Sequence, residues 1–130
     1  MAIELEPGLR GEASAVVDEG RTAVALRSGD VPVLGTPAVL ALAEEAAVAA
    51  LRGRLEPDET SVGAWVELEH LRPTPVGTEV TARATLVSVD GRVLGFEFEV
   101  SDPRGSVARG RHRRAVVERE RFLGGLPGAG

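Results

Sequence analysis

Glu44 and Glu45 stand side by side in residues 33–51, VLGTPAVLALAEEAAVAAL, a run otherwise almost wholly apolar. A carboxylate buried there without a partner loses its hydration, and its affinity for a proton rises. A carboxylate held in that way can act as a nucleophile or as a general base toward water. Helical phase separates the pair. Glu44 shares a stripe with Leu40, Ala47, Val48 and Leu51, whereas Glu45 lies beside Ala41, Ala49 and Arg52 and turns toward solvent. The plain alternative for Glu44 is a partly solvated helix charge, and periodicity alone does not choose between the two.

Four further residues have suitable chemistry. His70 closes a strand pattern on the same face as Val62, Ala64, Val66 and Leu68. A lone histidine there is more often a hydrogen-bonded structural residue than a catalyst, but it can donate, accept or carry a proton. Thr36 reads first as a helix cap, followed by Pro37 at the first helical position. Its hydroxyl also sits beside free backbone N–H groups, where a developing oxyanion is favoured. In VARGRHRRAVV, residues 107–117, His112 and Arg114 share a face with Ala108, Gly110 and Val116, opposite Arg109, Arg111 and Arg113. The outer arginine row reads as charge that guards an edge strand; the alternative is a cationic strip for a phosphate-bearing ligand. The sequence has no G-x-S-x-G, P-loop or H-E-x-x-H, and two histidines with no cysteine give no metal spacing.

The elements that must position these residues follow from pattern. GEASAVVD (11–18) and TAVALR (22–27) read as short strands. A loop of turn formers (28–35) leads to one helix that runs to about Leu51–Leu55 and stops before Pro57. Residues 61–71, 78–89, 92–101 and about 106–118 then read as four strands in meander order, with hairpin signals at Asp90-Gly91 and Asp102–Gly105. A helix apolar on most sides must be covered on most sides. One domain over 1–122 with a flexible tail over 123–130 is expected.

The chain has 130 residues and a net charge of −5, which argues against nucleic acid as partner. All fifteen basic residues are arginine. The N-terminus MAIELEPGLRGE lacks the apolar core of a signal peptide, and no uninterrupted apolar run reaches the roughly 18 residues of a membrane span. A soluble cytoplasmic protein without a membrane partner is expected.

Three stretches, VLGTPAVLALAEEAA, SVGAWVELEHLRPTPVG and GRHRRAVVERERF, resemble the fluoroacetyl-CoA thioesterase-like group of hotdog-fold thioesterases over roughly residues 30–122. The resemblance implies an α+β hotdog fold, a curved antiparallel sheet around one central helix. It implies an acyl-CoA thioesterase, a homodimer or tetramer with active sites at the subunit interface, and no cofactor or metal. By resemblance, Thr36, Glu44 and His70 are the catalytic residues, with His70 reaching in from the other subunit. Gly63, His112 and Arg114 bind substrate, Arg114 standing at the pocket mouth toward CoA phosphates. The fluoroacetate enzyme carries phenylalanines before its helix. Here RSGDVPVLG has none, which implies a different short, medium or aryl acyl group. The alternative is a non-catalytic hotdog module that binds an acyl-CoA or related metabolite. A hydratase on the same fold ranks below both, since no convincing Asp-x-x-x-x-His element is present.

Overall fold

The computed structural model describes residues 5–128. Five strands form one antiparallel sheet: β1 (Arg10–Val16), β2 (Glu59–His70), β3 (Glu79–Asp90), β4 (Val93–Asp102) and β5 (Gly105–Glu118). Their spatial order is β1-β3-β4-β5-β2. The inner face carries Val80, Ala82, Ala84 and Leu86 from β3, and Leu94, Phe96, Phe98 and Val100 from β4, all buried as the period-two pattern predicts. Against that face lies α2 (Thr36–Ala50), which buries Val39, Leu42, Ala43, Ala46, Ala47 and Ala50. Alanines at i, i+3 and i+4 let the strands come close. A Cβ added at Gly11 of β1 would collide with the backbone of Ala46 and Ala50. Ala46→Leu would push the two elements apart, since an overpacked core strains.

Four expectations are corrected. Residues 22–27 are not a strand: after a 3-10 turn at Glu19–Arg21, Ala23–Leu26 form a one-turn helix, α1, capped by the Thr22 side chain, which accepts from the Ala25 N–H at 3.2 Å. A Thr cap before alanines outweighs the weak β preference of so short a run. The last four strands are not a meander, because β2 pairs with β5 at the far edge and only β3, β4 and β5 follow one another. The connection 71–78 is too long and too rich in proline for a hairpin; it crosses the end of the sheet. There Thr74 donates to the buried Asp102 carboxylate at 3.1 Å, Arg72 pairs with it at 2.9 Å, and the Arg104 N–H donates to it at 2.8 Å. Val62 and Ala64 do not share a face with Val66, Leu68 and His70. A bulge between Gly63 and Trp65 shifts the register, so Ser61 and Gly63 pair opposite Val116 and Arg114 on the inner face. Finally, α2 ends at Ala50, and Gly53 (φ 76°) turns the chain away. Beyond β5, Arg119–Gly124 form a further short helix, α3, capped by Glu118.

On the outer face the register builds charge ladders. Glu69, Arg109, Glu99, Arg83 and Glu12 lie in one row across the five strands. Glu67, Arg111 and Glu97 lie in the next. Neighbouring strands thus set opposite charges against one another, and such exposed pairs stabilise the fold only modestly.

Candidate active site

Gly35, not Thr36, caps α2, and no side chain contributes to the cap. The cause is local crowding. Gly35 is pressed against Ala23, where an added Cβ would meet backbone at 3.1 Å. Thr36 therefore becomes the first helical residue, and its hydroxyl is free to meet the Nδ1 of His70 at 2.8 Å. His70 lies at the end of β2, opposite Ala108. Its contact to Thr36 is made within one chain, and among the described residues no hydrogen bond joins it to Glu44 of that chain. Burial lowers its pKa, so the ring is neutral near pH 7. Its Nε2 is buried without a partner. Two tautomers fit: with the proton on Nε2, Nδ1 accepts from the threonine hydroxyl; with it on Nδ1, the ring donates.

Glu44 forms a second group, eight residues along the helix. Its Oε2 accepts from Arg114 Nη1 at 3.3 Å and lies 3.9 Å from His112 Nε2. Arg114 is buried and fully engaged. Its Nε donates to Ser61 Oγ at 2.8 Å, its Nη2 to the Ser61 carbonyl at 3.2 Å, and its Nη1 also lies 3.2 Å from His112 Nε2. It braces Glu44 rather than standing at a pocket mouth. His112 is 2% exposed. Burial lowers its pKa, and the Arg114 charge lowers it further. Its Nδ1 lies 2.8 Å from the Trp65 carbonyl, which makes that nitrogen the N–H donor and leaves Nε2 as acceptor from Arg114. Gly63 completes the group: a Cβ there would lie 2.5 Å from Glu44 Oε2. Ser61 was not foreseen. The bulge brings it to the inner face, and a glycine inside a strand was the available signal.

The Glu44 carboxylate borders two clefts. One, about 640 Å³, runs along α2 and is lined by Leu26, Leu34, Pro37, Ala41 and Val48, with Arg114 and Glu45 among its few charged groups. The other, about 340 Å³, lies between Glu44, His112 and residues 63–66 of the bulge. Glu44 is thus at the rim of the buried stripe, not inside it. The described residues contain no cluster of His, Cys, Asp or Glu that could hold a metal ion. No described helix is long and apolar enough to cross a membrane.

A five-stranded antiparallel sheet folded over one long helix is the hotdog architecture. The structure of a hot-dog-like protein from Thermanaerovibrio acidaminovorans superposes with a TM-score of 0.85, at 28% identity over 94% of this chain and 92% of that one. The chain belongs to the fluoroacetyl-CoA-specific thioesterase family, whose model matches residues 17–120. The fluoroacetyl-CoA thioesterase of Streptantibioticus cattleyicolor is 38% identical over 90 residues, 69% of this chain and 65% of that protein. A variant of the fluoroacetyl-CoA-specific thioesterase FlK, solved in complex with fluoroacetate and CoA, superposes with a TM-score of 0.85. It is 32% identical over 91% of this chain and 99% of that one.

Proposed function

We propose that this protein hydrolyses an acyl-CoA thioester to the free acid and CoA. The observation that carries the reading is the Glu44 carboxylate, braced by Arg114 and His112, cleared by Gly63 and set at the edge of an apolar cleft in a member of a thioesterase family. In this scheme Glu44 attacks the thioester carbonyl or takes the proton of the attacking water. Thr36, held by His70, orients the thioester, and His70 with nearby backbone N–H groups supports the oxyanion. No cofactor enters the scheme. The segment before α2 has no phenylalanine and the cleft beside Glu44 has no aromatic lining, which supports a different short, medium or aryl acyl group. A panel of acyl-CoAs with a thiol-detecting dye tests this. Turnover of at least one ester, lost in Glu44→Ala, is expected. Tight CoA-ester binding without hydrolysis would instead mark a binding module.

The reading includes a dimer that completes the site. Thr36 and Glu44 lie eight residues apart on one helix, about 12 Å along its axis. One carbonyl cannot touch both, and among the described residues no hydrogen bond joins Glu44 to Thr36 or His70. Two helices antiparallel about a two-fold axis would bring Thr36 and His70 of one protomer to Glu44 of its partner. Two exposed features suit a second copy: the α2 face of Pro37, Ala41 and Val48, and the unpaired edge of the twelve-residue strand β2. A tetramer would bury further surface. The cysteine-free composition suits a reducing compartment, and a cytoplasmic location belongs to the same reading.

A further inference from the structure

A guanidinium and a carboxylate commonly pair through two parallel N–H to oxygen bonds, because the two planar groups match. Arg114 and Glu44 do not pair in that way. Nη1 alone reaches the carboxylate, at 3.3 Å, and it reaches Oε2. Among the described residues Oε1 has no hydrogen-bond partner. The Glu44 side chain is 39% exposed, so that oxygen is open to a reactant. The residue that prevents the two-pronged pair is Ser61. Its Oγ accepts from Nε at 2.8 Å and its carbonyl from Nη2 at 3.2 Å, which occupies the side edge of the guanidinium. His112 Nε2, 3.2 Å from Nη1, holds the remaining end. The order of distances is the reverse of what charge alone gives: the short bond goes to a neutral hydroxyl and the long one to the carboxylate.

We infer that Ser61 is a positioning residue of the site: it clamps Arg114 to a one-pronged contact with Glu44 and so keeps Oε1 free to attack the thioester or to take a proton from water. Without the clamp the guanidinium would turn its side edge to Glu44 and tie up both oxygens. The ion pair would be stronger and the carboxylate less reactive. The inference rests on the acyl-CoA reading above and names a further residue of that same site. It also gives the bulge in β2 a task, since the register there sets Ser61 opposite Val116 and Gly63 opposite Arg114 on the inner face. The clamp lies between β2 and β5 and does not need a free β2 edge. A carbonyl oxygen has two lone pairs, so a second copy can pair along that edge without displacing Arg114 from Ser61.

Three substitutions test the clamp. Ser61→Ala removes the hydroxyl, Ser61→Thr keeps it, and Ser61→Val has the size of threonine without it. With the best acyl-CoA, kcat should fall about tenfold in Ser61→Ala and Ser61→Val while KM stays within about twofold, and Ser61→Thr should keep most of the wild-type kcat. A serine that only steadied the strand would lower the melting temperature and leave kcat alone. A crystal structure of Ser61→Ala should show Arg114 turned to contact both oxygens of Glu44, and one of Ser61→Thr should show the wild-type arrangement. An unchanged kcat in Ser61→Ala, or an equal loss in Ser61→Ala and Ser61→Thr, would overturn the inference. So would a guanidinium that keeps its place in Ser61→Ala or leaves Glu44 altogether. If the wild type hydrolyses no acyl-CoA, the thioesterase reading fails, while the crystal structures still decide whether Ser61 governs the pairing of Arg114 with Glu44.

Discussion

Gly63 shows how one missing atom governs the site. A Cβ there would collide with the far end of Glu44, a flexible group that can swing aside, and not with backbone. Gly63→Ala should therefore leave the fold and melting temperature nearly unchanged while turnover falls by at least about tenfold, since a displaced carboxylate loses its alignment. A melting temperature that drops with activity would show that the glycine serves the strand instead. Thr36 and His70 make the companion case. Thr36→Val keeps the shape and removes the hydroxyl, so Nδ1 of His70 loses its 2.8 Å partner. If the hydroxyl orients the thioester, kcat should fall more than KM rises. The two histidines also set a pH limit. Burial holds both below the ordinary 6.5. As the pH falls through 6.5 the unfolded chain binds these protons first, so stability is full above that value and declines toward their folded values. Melting curves from pH 8 to pH 5 should show the decline, reduced in His112→Phe if that ring contributes to it.

Among the elements, the crossover 71–78 is the weak point that Asp102 secures. This carboxylate sits at the end of β4 and gathers Thr74, Arg72 and the Arg104 N–H. Burial alone would raise its pKa, but these partners together outweigh burial and hold it below the ordinary 3.8. Its contribution to stability is therefore present above about that value and is lost as the pH falls through the lowered one. Asp102→Ala should lower the melting temperature by several degrees at pH 7, because it strands a buried hydroxyl and an arginine. At pH 3 the difference between variant and wild type should shrink. The crossover also carries Thr74, whose carbonyl accepts from the Leu34 N–H at 2.9 Å just before α2. Loss of Asp102 should for that reason disturb the approach to Thr36, visible as a larger loss of kcat than of binding.

At the scale of the whole molecule, the separation of Thr36 from Glu44 along α2 makes a definite prediction about assembly. A protein inactive through His70→Ala and another inactive through Glu44→Ala should regain activity when unfolded and refolded together. Each mixed dimer would carry one intact site, so random pairing gives about a quarter of wild-type activity. Mixed protein that stays inactive, or a monomer by sedimentation, would place the whole reaction within one chain.

Much of this was legible in the sequence because it depends on period. The apolar stripes of β3 and β4, the single long helix and the two hairpin turns follow from spacing alone, since burial on one face imposes it. Family resemblance then singled out Thr36, Glu44 and His70. Three features were decided only in three dimensions. Crowding of Gly35 against Ala23 moved the cap by one residue and freed Thr36 for His70. The bulge in β2 reversed which residues face inward and brought Ser61 and Gly63 to Glu44 and Arg114. The pairing of β2 with β5 rather than β3 left Arg113 beside an indole instead of a carboxylate. Local periodicity specifies faces, but which strand lies next to which, and where a ladder slips by one residue, depend on contacts between segments far apart in the chain.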